Sequence, residues 1–294
     1  MLQRLRRECL DALELVLLPG LAAVLPWRIA FGLFKRLARC PWLYRDVCLN
    51  AAHEARALGL LEGDEAGWLA ERRLIALLDR ADQYVLRWRC ADRWLRRHVE
   101  VRGQWQQPGR PGVLVTFHWG VGLWLIRHAA ACGLHPHLLA AGPQGPAFDG
   151  RWVLRRYVRT RLAMVERAAG RAAITTGGAL QRVMGVLRSD EQVVIVLDVP
   201  PDQVAQTCEA RLLGRAVRVP CALPALAVER GLPLTVALMN VDMATGRYVL
   251  ALEVLEAGSD EAALAQALYD RLERAMRARP ASWHLWDQAR RFFA

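Results

Sequence analysis

The sequence predicts an α/β protein in which helices flank a mostly parallel central sheet. Two apolar runs rich in β-branched residues, 113–117 and 193–197, have the composition of strands buried on both faces. Stretches with helical periodicity separate these runs from further strand-like segments, as crossover connections between parallel strands require.

Taken in chain order, the pattern predicts an all-helical N-terminal third followed by alternating strands and helices. The predicted helices cover 5–18, 26–38, 44–60, 65–97, 121–132, 150–169, 176–188, 221–230 and 260–278. The predicted strands cover 113–117, 136–141, 193–198, 211–219, 233–241 and 247–254. The runs near 211–219 and 248–254 are expected to add an antiparallel edge to the sheet.

One stretch, Gly103 to Gly112, breaks the pattern of helices and strands. It combines glycine, proline and three glutamines, a composition typical of a connecting segment. We therefore expect two parts: an N-terminal helical, membrane-associating part over 1–102 and an α/β core over 103–294.

The segment from Leu15 to Phe34 carries a single charge, Arg28, over the length that a membrane span needs. Pro19, Gly20 and Pro26 interrupt it, and arginines flank both of its ends. These features favour a broken helical segment that lies in or dips into the membrane interface. The alternative is a pair of buried helices that cover the core.

His118 directly follows the first buried strand and precedes a predicted helix. The carboxyl end of a parallel strand is where open α/β sheets place their chemistry. The partial positive charge at the start of a helix disfavours imidazolium, so we expect a neutral ring that can accept a proton. The alternative is a polar residue that merely caps a loop.

Asp198 follows the second buried strand, before Pro200 and Pro201. Parallel strands bring the groups at their carboxyl ends to one edge of the sheet. His118 and Asp198 are therefore predicted to share a site, although a strand-end aspartate is also a common cap for the turn that follows.

Several stretches together resemble the bacterial lipid A lauroyl/myristoyl acyltransferase family, within the wider lysophospholipid acyltransferase superfamily. They are Phe117-His118-Trp119-Gly120, the strand ending at Asp198 with its continuation to Pro220, the strand near Arg247, and Arg279-Pro-Ala-Ser-Trp283 with Trp286. The resemblance runs from about residue 15 to the C-terminus. It implies an acyl carrier protein or acyl-CoA donor, a lipid-like acceptor, and a peripheral or monotopic position on the cytoplasmic face of the inner membrane.

The chain departs from the family at one position that matters. In the family, an Asp or Glu follows the histidine after four intervening residues and orients the imidazole, whereas this chain has Leu123 there. Asp198 can supply the carboxylate, His118 can work without one, or the chain has lost catalysis and binds a lipid or a partner.

The residues around His118 suggest a substrate site. Trp119, Leu123 and Trp124 are expected to line an acyl groove or else to belong to the core. Gly120 and Gly122 would let substrate approach the backbone closely. Donors for the oxyanion are expected from the backbone N–H groups near these glycines or from an arginine of the Arg155 to Arg161 face.

The basic stretch at 151–161 predicts an anion-binding helix face, because Arg151, Arg155 and Arg159 are four residues apart. Arg155 and Arg159 are the candidate ligands for a phosphate, an anionic headgroup or the acidic helix of a carrier protein. The alternative is a solvated helix face.

The net charge of +11 favours an anionic partner. We predict a membrane surface rather than nucleic acid, because no nucleic-acid-binding module is recognisable. The sequence has no GxSxG, P-loop or GxGxxG motif, so we expect no hydrolase nucleophile, no cofactor and no metal. Seven cysteines without a CxxC pair favour a reducing compartment.

Overall fold

A computed structural model describes residues 2–140, 148–175 and 179–293 of the chain. The described residues form an α/β fold with a seven-stranded mixed sheet and a separate two-stranded sheet. The strands are β1 Val99–Arg102, β2 Gly112–Thr116, β3 Pro136–Ala140, β4 Ile174–Thr175, β5 Gln192–Val196, β6 Thr207–Leu212, β7 Arg215–Pro220, β8 Leu234–Val241 and β9 Tyr248–Leu255. The α-helices are α1 Leu2–Ala12, α2 Leu18–Val24, α3 Trp27–Leu37, α4 Arg45–Ala57, α5 Glu65–Trp88, α6 Ala91–His98, α7 Leu123–Ala131, α8 Trp152–Ala169, α9 Ala179–Arg188, α10 Ala222–Arg230, α11 Glu261–Ala278 and α12 Arg290–Phe293.

The seven-stranded sheet has the order β1-β9-β8-β2-β5-β3-β4. Its central neighbours β8, β2, β5 and β3 are parallel, and β9 pairs antiparallel to β8. The predicted fold class and the antiparallel position of 248–254 are therefore confirmed. The short strand β1, which pairs parallel to β9, was not predicted.

The prediction of one strand over 211–219 at the edge of the main sheet is wrong. This stretch turns at Leu213 and Gly214, which both have positive φ angles of 53° and 76°. Two successive residues with positive φ are typical of tight β-hairpins. The result is the antiparallel hairpin β6–β7, which forms the separate two-stranded sheet.

The prediction of a single helix over 65–97 also needs correction. Arg89 and Cys90 adopt extended backbone angles, so α5 ends at Trp88 and α6 begins at Ala91. Helical periodicity resumes at once after the break, which is why the pattern reads as continuous. The structure thus places α6 and β1 between the long helix α5 and the predicted connecting segment, Gly103 to Gly112.

The N-terminal segment is helical and breaks at Pro26, as predicted, but Pro19 and Gly20 do not interrupt it. They lie inside α2, where proline in the first turn leaves the helix intact. A short π-helix, Leu13–Leu17, separates α1 from α2, and Pro26 precedes α3. Within the described residues, every helix is too short or too polar to cross a bilayer. The inner side of Leu15 to Phe34 is buried, with Ala22, Ala30 and Phe34 at most 2% exposed, so that side of the segment covers the core.

One apolar cluster includes buried side chains from Ala22 to Phe292. Residues on both sides of position 103 contribute to it. For example, the Trp94 ring on α6 stacks on Trp124 of α7, with 4.1 Å between the ring centroids. This shared core holds the N-terminal helices against the sheet.

Candidate functional site

His118 and Asp198 lie side by side at one edge of the central sheet. Strands β2 and β5 are parallel neighbours, and Thr116 and Val196 are paired at their carboxyl ends. His118 and Asp198 each follow two residues later, so the register alone brings them together. This is the arrangement that the two strand ends predict.

The Asp198 carboxylate makes three types of contact. It accepts the backbone N–H of His118 at 2.8 Å, and its Oδ1 atom lies 3.0 Å from His118 Nδ1. Its Oδ2 atom accepts the indole N–H of Trp283 at 2.8 Å. The Asp198 side chain is fully buried, so these donors replace the water that the carboxylate loses.

The contact with Asp198 assigns different roles to the two nitrogens of His118. An ionised carboxylate only accepts hydrogen bonds, so Nδ1 carries the proton and Nε2 keeps its lone pair in the neutral ring. The ring is 42% exposed, and no side chain of the described residues hydrogen bonds to Nε2. Nε2 is therefore the atom that can accept a proton from a ligand.

The predicted effect of the helix start on His118 needs correction. Partial burial alone lowers the pKa of His118, but the Asp198 carboxylate outweighs this effect, and the pKa is raised. A full negative charge at 3.0 Å acts more strongly than the partial charges at the start of α7. His118 is thus a stronger base than an isolated histidine.

A segment near the C-terminus closes over the loop that carries His118. The Ser282 carbonyl accepts the N–H of Gly120 at 2.9 Å, and the N–H of His284 donates to the His118 carbonyl at 2.8 Å. These bonds form an antiparallel bridge between Trp119 and Trp283. They fix the backbone on both sides of the His118 side chain.

The His284 ring adds a further bond to the same loop. Its Nε2 atom lies 2.8 Å from the Gly120 carbonyl, and its Nδ1 atom lies 3.2 Å from the Arg72 guanidinium. Burial, followed by the charge of Arg72, lowers the pKa of His284 to about 3. A neutral His284 therefore donates from Nε2 and accepts from Arg72 at Nδ1.

Gly120 is needed for the approach of the protein's own backbone. Its φ angle is +55°, and a Cβ atom there would lie 2.1 Å from the Met239 carbonyl oxygen. Its N–H group is engaged with Ser282, so this group is not available to an oxyanion. Gly122 has an ordinary helical φ of −69° at the start of α7.

The apolar residues predicted to line a groove are buried. Trp119, Leu123 and Trp124 are 2%, 2% and 0% exposed and belong to the main apolar cluster. Their burial favours the alternative, in which these side chains are core. A role in holding an acyl chain stays a prediction.

The basic stretch around α8 divides into two groups. Arg151 pairs with Asp11 at 2.6 Å, and Arg161 pairs with Asp79 at 2.6 Å, so neither is a free cation. Arg155 and Arg159 line a surface cavity of about 370 Å³, together with Trp152 and Arg156. Arg155 also pairs with Asp149 at 3.7 Å.

Three polar residues near the site, Arg72, Asp79 and His284, were not singled out from the sequence. Arg72 and His284 brace the loop as described, and Asp79 and Arg161 form an ion pair near His118. The negative charge of Asp79 contributes to the raised pKa of His118. Asp79 itself has a lowered pKa: burial would raise it, but Arg161 outweighs that effect. No local motif marks these residues, because their partners lie far away in the sequence.

Comparison of the chain with protein-family models and with curated proteins found no match.

Proposed function

We propose that the chain is a membrane-associated acyltransferase that moves a fatty acyl group from a thioester to a hydroxyl or amine of a lipid-like acceptor. The contact between His118 Nδ1 and Asp198 Oδ1, at 3.0 Å, carries this proposal. A buried carboxylate that orients a partly exposed imidazole is the arrangement of a general base.

In the proposed step, Nε2 of His118 removes the proton from the acceptor hydroxyl as its oxygen attacks the thioester carbonyl carbon. A carbon–oxygen bond forms, the tetrahedral intermediate collapses, and the carbon–sulfur bond breaks. The imidazolium returns the proton to the departing thiolate, so the products are an ester and a free thiol. Asp198 remains ionised and stabilises the imidazolium while it exists.

Direct transfer fits three cysteines and the serine beside the His118 loop better than a covalent enzyme intermediate. Burial raises the pKa of Cys48, Cys132 and Cys208, which disfavours their thiolates. Ser282 is 1% exposed, which leaves its hydroxyl inaccessible to a bulky donor.

The resemblance to the lipid A acyltransferase family supports an acyl carrier protein or CoA thioester as donor and a phosphorylated lipid as acceptor. It also supports a position on the cytoplasmic face of the inner membrane. The alternative is a degenerate family member that only binds a lipid or a partner, as the leucine at position 123 suggests. The contact of Asp198 with His118 favours the enzyme, because Asp198 supplies the carboxylate that Leu123 cannot.

The test is acyl transfer by the purified chain. The protein is incubated with radiolabelled acyl carrier protein thioester or acyl-CoA and total bacterial lipid, and labelled lipid is separated and counted. His118→Ala is expected to lower turnover about 10²-fold or more, the contribution of a general base. The matched control is His53→Ala, because His53 is exposed on α4 and lies outside the site.

Labelled lipid formed equally by His118→Ala and the wild-type chain, at equal thermal stability, would reject the assignment of the base. No transfer by the wild-type chain from either donor, together with stoichiometric lipid binding, would favour the binding protein.

A further inference from the structure

Three charged side chains of helix α1 contact the protein, whereas Arg6 and Arg7 are exposed. Arg4, Glu8 and Asp11 are spaced four and three residues apart, so they share one face. Arg4 donates to the Gly150 carbonyl at 3.2 Å, and Asp11 pairs with Arg151 at 2.6 Å. The Glu8 carboxylate accepts the backbone N–H groups of the first two residues of α8 at 2.7 and 2.9 Å.

Several apolar side chains of the same helical segment face solvent. Leu5 is 61% exposed and Leu10 is 42% exposed, and the exposed apolar residues continue beyond α1 with Leu17 at 62% and Val24 at 74%. An ordinary surface helix buries its leucines, whereas the outer side of α1 exposes leucines together with Arg6 and Arg7. A surface that combines several exposed large apolar residues marks an interaction site.

The beginning of α8 continues this surface, because Glu8 and Asp11 hold it against α1. Trp152 is 70% exposed there. Arg156 and Arg159 are exposed beside it, and neither forms an ion pair with a carboxylate of the described residues. Exposed tryptophan next to unpaired arginine is typical of the interface between membrane and water.

We propose that the outer side of α1 and the first turns of α8 form one membrane-binding surface for anionic phospholipid. The leucines and Trp152 enter the boundary between headgroups and acyl chains, and Arg156 and Arg159 bind lipid phosphates. This inference deepens the membrane association of the proposed function and names the surface responsible for it. It extends the prediction for Leu15 to Phe34, because it adds α1 and α8 and takes only the exposed side of that segment, which carries Leu17 and Val24.

The alternative partner, an acidic carrier protein, accounts for the arginines only. Leu5, Leu17 and Trp152 are each more than 60% exposed, and an acidic helix offers them little apolar surface. A lipid monolayer satisfies both the arginines and the apolar side chains, so the observations favour a membrane.

The test measures co-sedimentation of the full chain with vesicles of phosphatidylglycerol and phosphatidylcholine in equal parts, and with pure phosphatidylcholine vesicles. Leu5→Ser with Leu10→Ser is expected to lower the partition coefficient about tenfold or more on the anionic vesicles. At low salt, Arg156→Gln with Arg159→Gln is expected to lower the partition coefficient about tenfold or more. Raising the salt to 0.5 M should then lower the partition coefficient of this variant little further.

Matched controls separate this surface from the overall positive charge. Val101→Ser with Val254→Ser removes exposed apolar residues from β1 and β9. Helix α8 packs against β3, which lies toward the other edge of the sheet, so this control is far from the proposed surface. Arg211→Gln with Arg215→Gln removes two exposed arginines of the β6–β7 hairpin, so the net charge matches. Both controls are expected to partition within about twofold of the wild-type chain.

Three results would overturn the proposal. The test and control variants could lose vesicle binding equally, or the wild-type chain could fail to bind anionic vesicles. In the third, Leu5→Ser with Leu10→Ser converts a dimer of the chain to a monomer and leaves vesicle binding unchanged. Tighter binding of acyl carrier protein by the wild-type chain than by Arg156→Gln with Arg159→Gln, with unchanged vesicle binding, would assign the arginines to the carrier instead. Vesicle binding is also measured on His118→Ala, which leaves this surface intact. Vesicle binding without transfer by the wild-type chain would reject the proposed enzyme alone, and transfer without vesicle binding would reject the surface alone.

Discussion

His118 can act as a base only while its ring is neutral, so its raised pKa determines the acid side of the pH profile. The Asp198 carboxylate outweighs the effect of burial and holds the pKa above the usual histidine value of about 6.5. The value of kcat/KM is therefore expected to fall as the pH drops through a midpoint above about 6.5.

Asp198→Asn tests the origin of this shift. The substitution removes the negative charge and leaves the burial, which lowers the pKa of the ring. The acid midpoint of kcat/KM is thus expected to move to lower pH, while the rate on the plateau also decreases. A midpoint that stays in place would mean that Asp198 does not set the charge of the ring.

Residues that act as one unit give losses that are not additive. Because the carboxylate orients the base, Asp198→Asn is expected to lower turnover by about 10² to 10⁴-fold. The double variant, His118→Ala with Asp198→Asn, should then have nearly the same turnover as His118→Ala alone. Independent losses that multiply in the double variant would make Asp198 a structural cap.

The sequence allowed both residues of this pair to be predicted, because each ends an apolar run of β-branched residues. It gave no sign of Trp283 as the donor to Asp198, since 85 residues separate the two. The predicted direction of the His118 pKa shift is also wrong, because the effect of Asp198 depends on a distance that only the strand register fixes. Local patterns thus find strand ends but not the side chains that pack on them.

At the scale of elements, the segment over 282–284 acts as a brace for the loop at 118–120. Trp283 is fully buried, and its indole N–H donates to Asp198 Oδ2 at 2.8 Å. Trp283→Phe keeps an aromatic ring and removes this donor. The loss of a hydrogen bond to a buried charged group is expected to cost about 1.5–3 kcal/mol of stability.

The same change is expected to alter the chemistry of the pair. Without the indole N–H, the negative charge of Asp198 is less neutralised and attracts imidazolium more strongly. The acid midpoint of kcat/KM in Trp283→Phe should therefore rise.

The matched control is Trp286→Phe, because the Trp286 indole donates to the Pro280 carbonyl at 3.0 Å and is 1% exposed. It is expected to lose stability and leave the midpoint unchanged. Equal midpoints in the two variants would reduce Trp283 to a packing role.

The elements that were predicted wrongly from the sequence have in common that they lack a local sequence signal. Periodicity cannot register a break of two residues, so α5 and α6 read as one helix. The turn at Leu213 and Gly214 has leucine at a position with positive φ, which no composition rule for turns favours. Strands as short as β4, with two residues, have too little pattern to detect.

For the whole molecule, the predicted division at residue 103 marks a change in secondary structure within a continuous core. Val99 to Arg102 form β1, which hydrogen bonds to β9 at the edge of the main sheet. Buried side chains of α5, such as Leu77 and Leu78, belong to the same apolar cluster as β2 and β8. The helices before residue 103 therefore share one core with the α/β part, where α5 packs against α7 and α8.

The fragment 103–294 is accordingly expected not to fold by itself. It would expose the surface that packs against α5 and α6, including Trp124, which stacks on Trp94 in the full chain. Burial of each side chain contributes about 1.5–3 kcal/mol, so the loss of several such side chains exceeds the free energy of unfolding of most domains. Circular dichroism should show no cooperative thermal transition for the fragment, and a single transition for the full chain. Mixing separately produced 1–102 and 103–294 should restore the transition if the two parts recognise each other through this core. A cooperative transition in 103–294 alone would instead make residue 103 a true domain boundary.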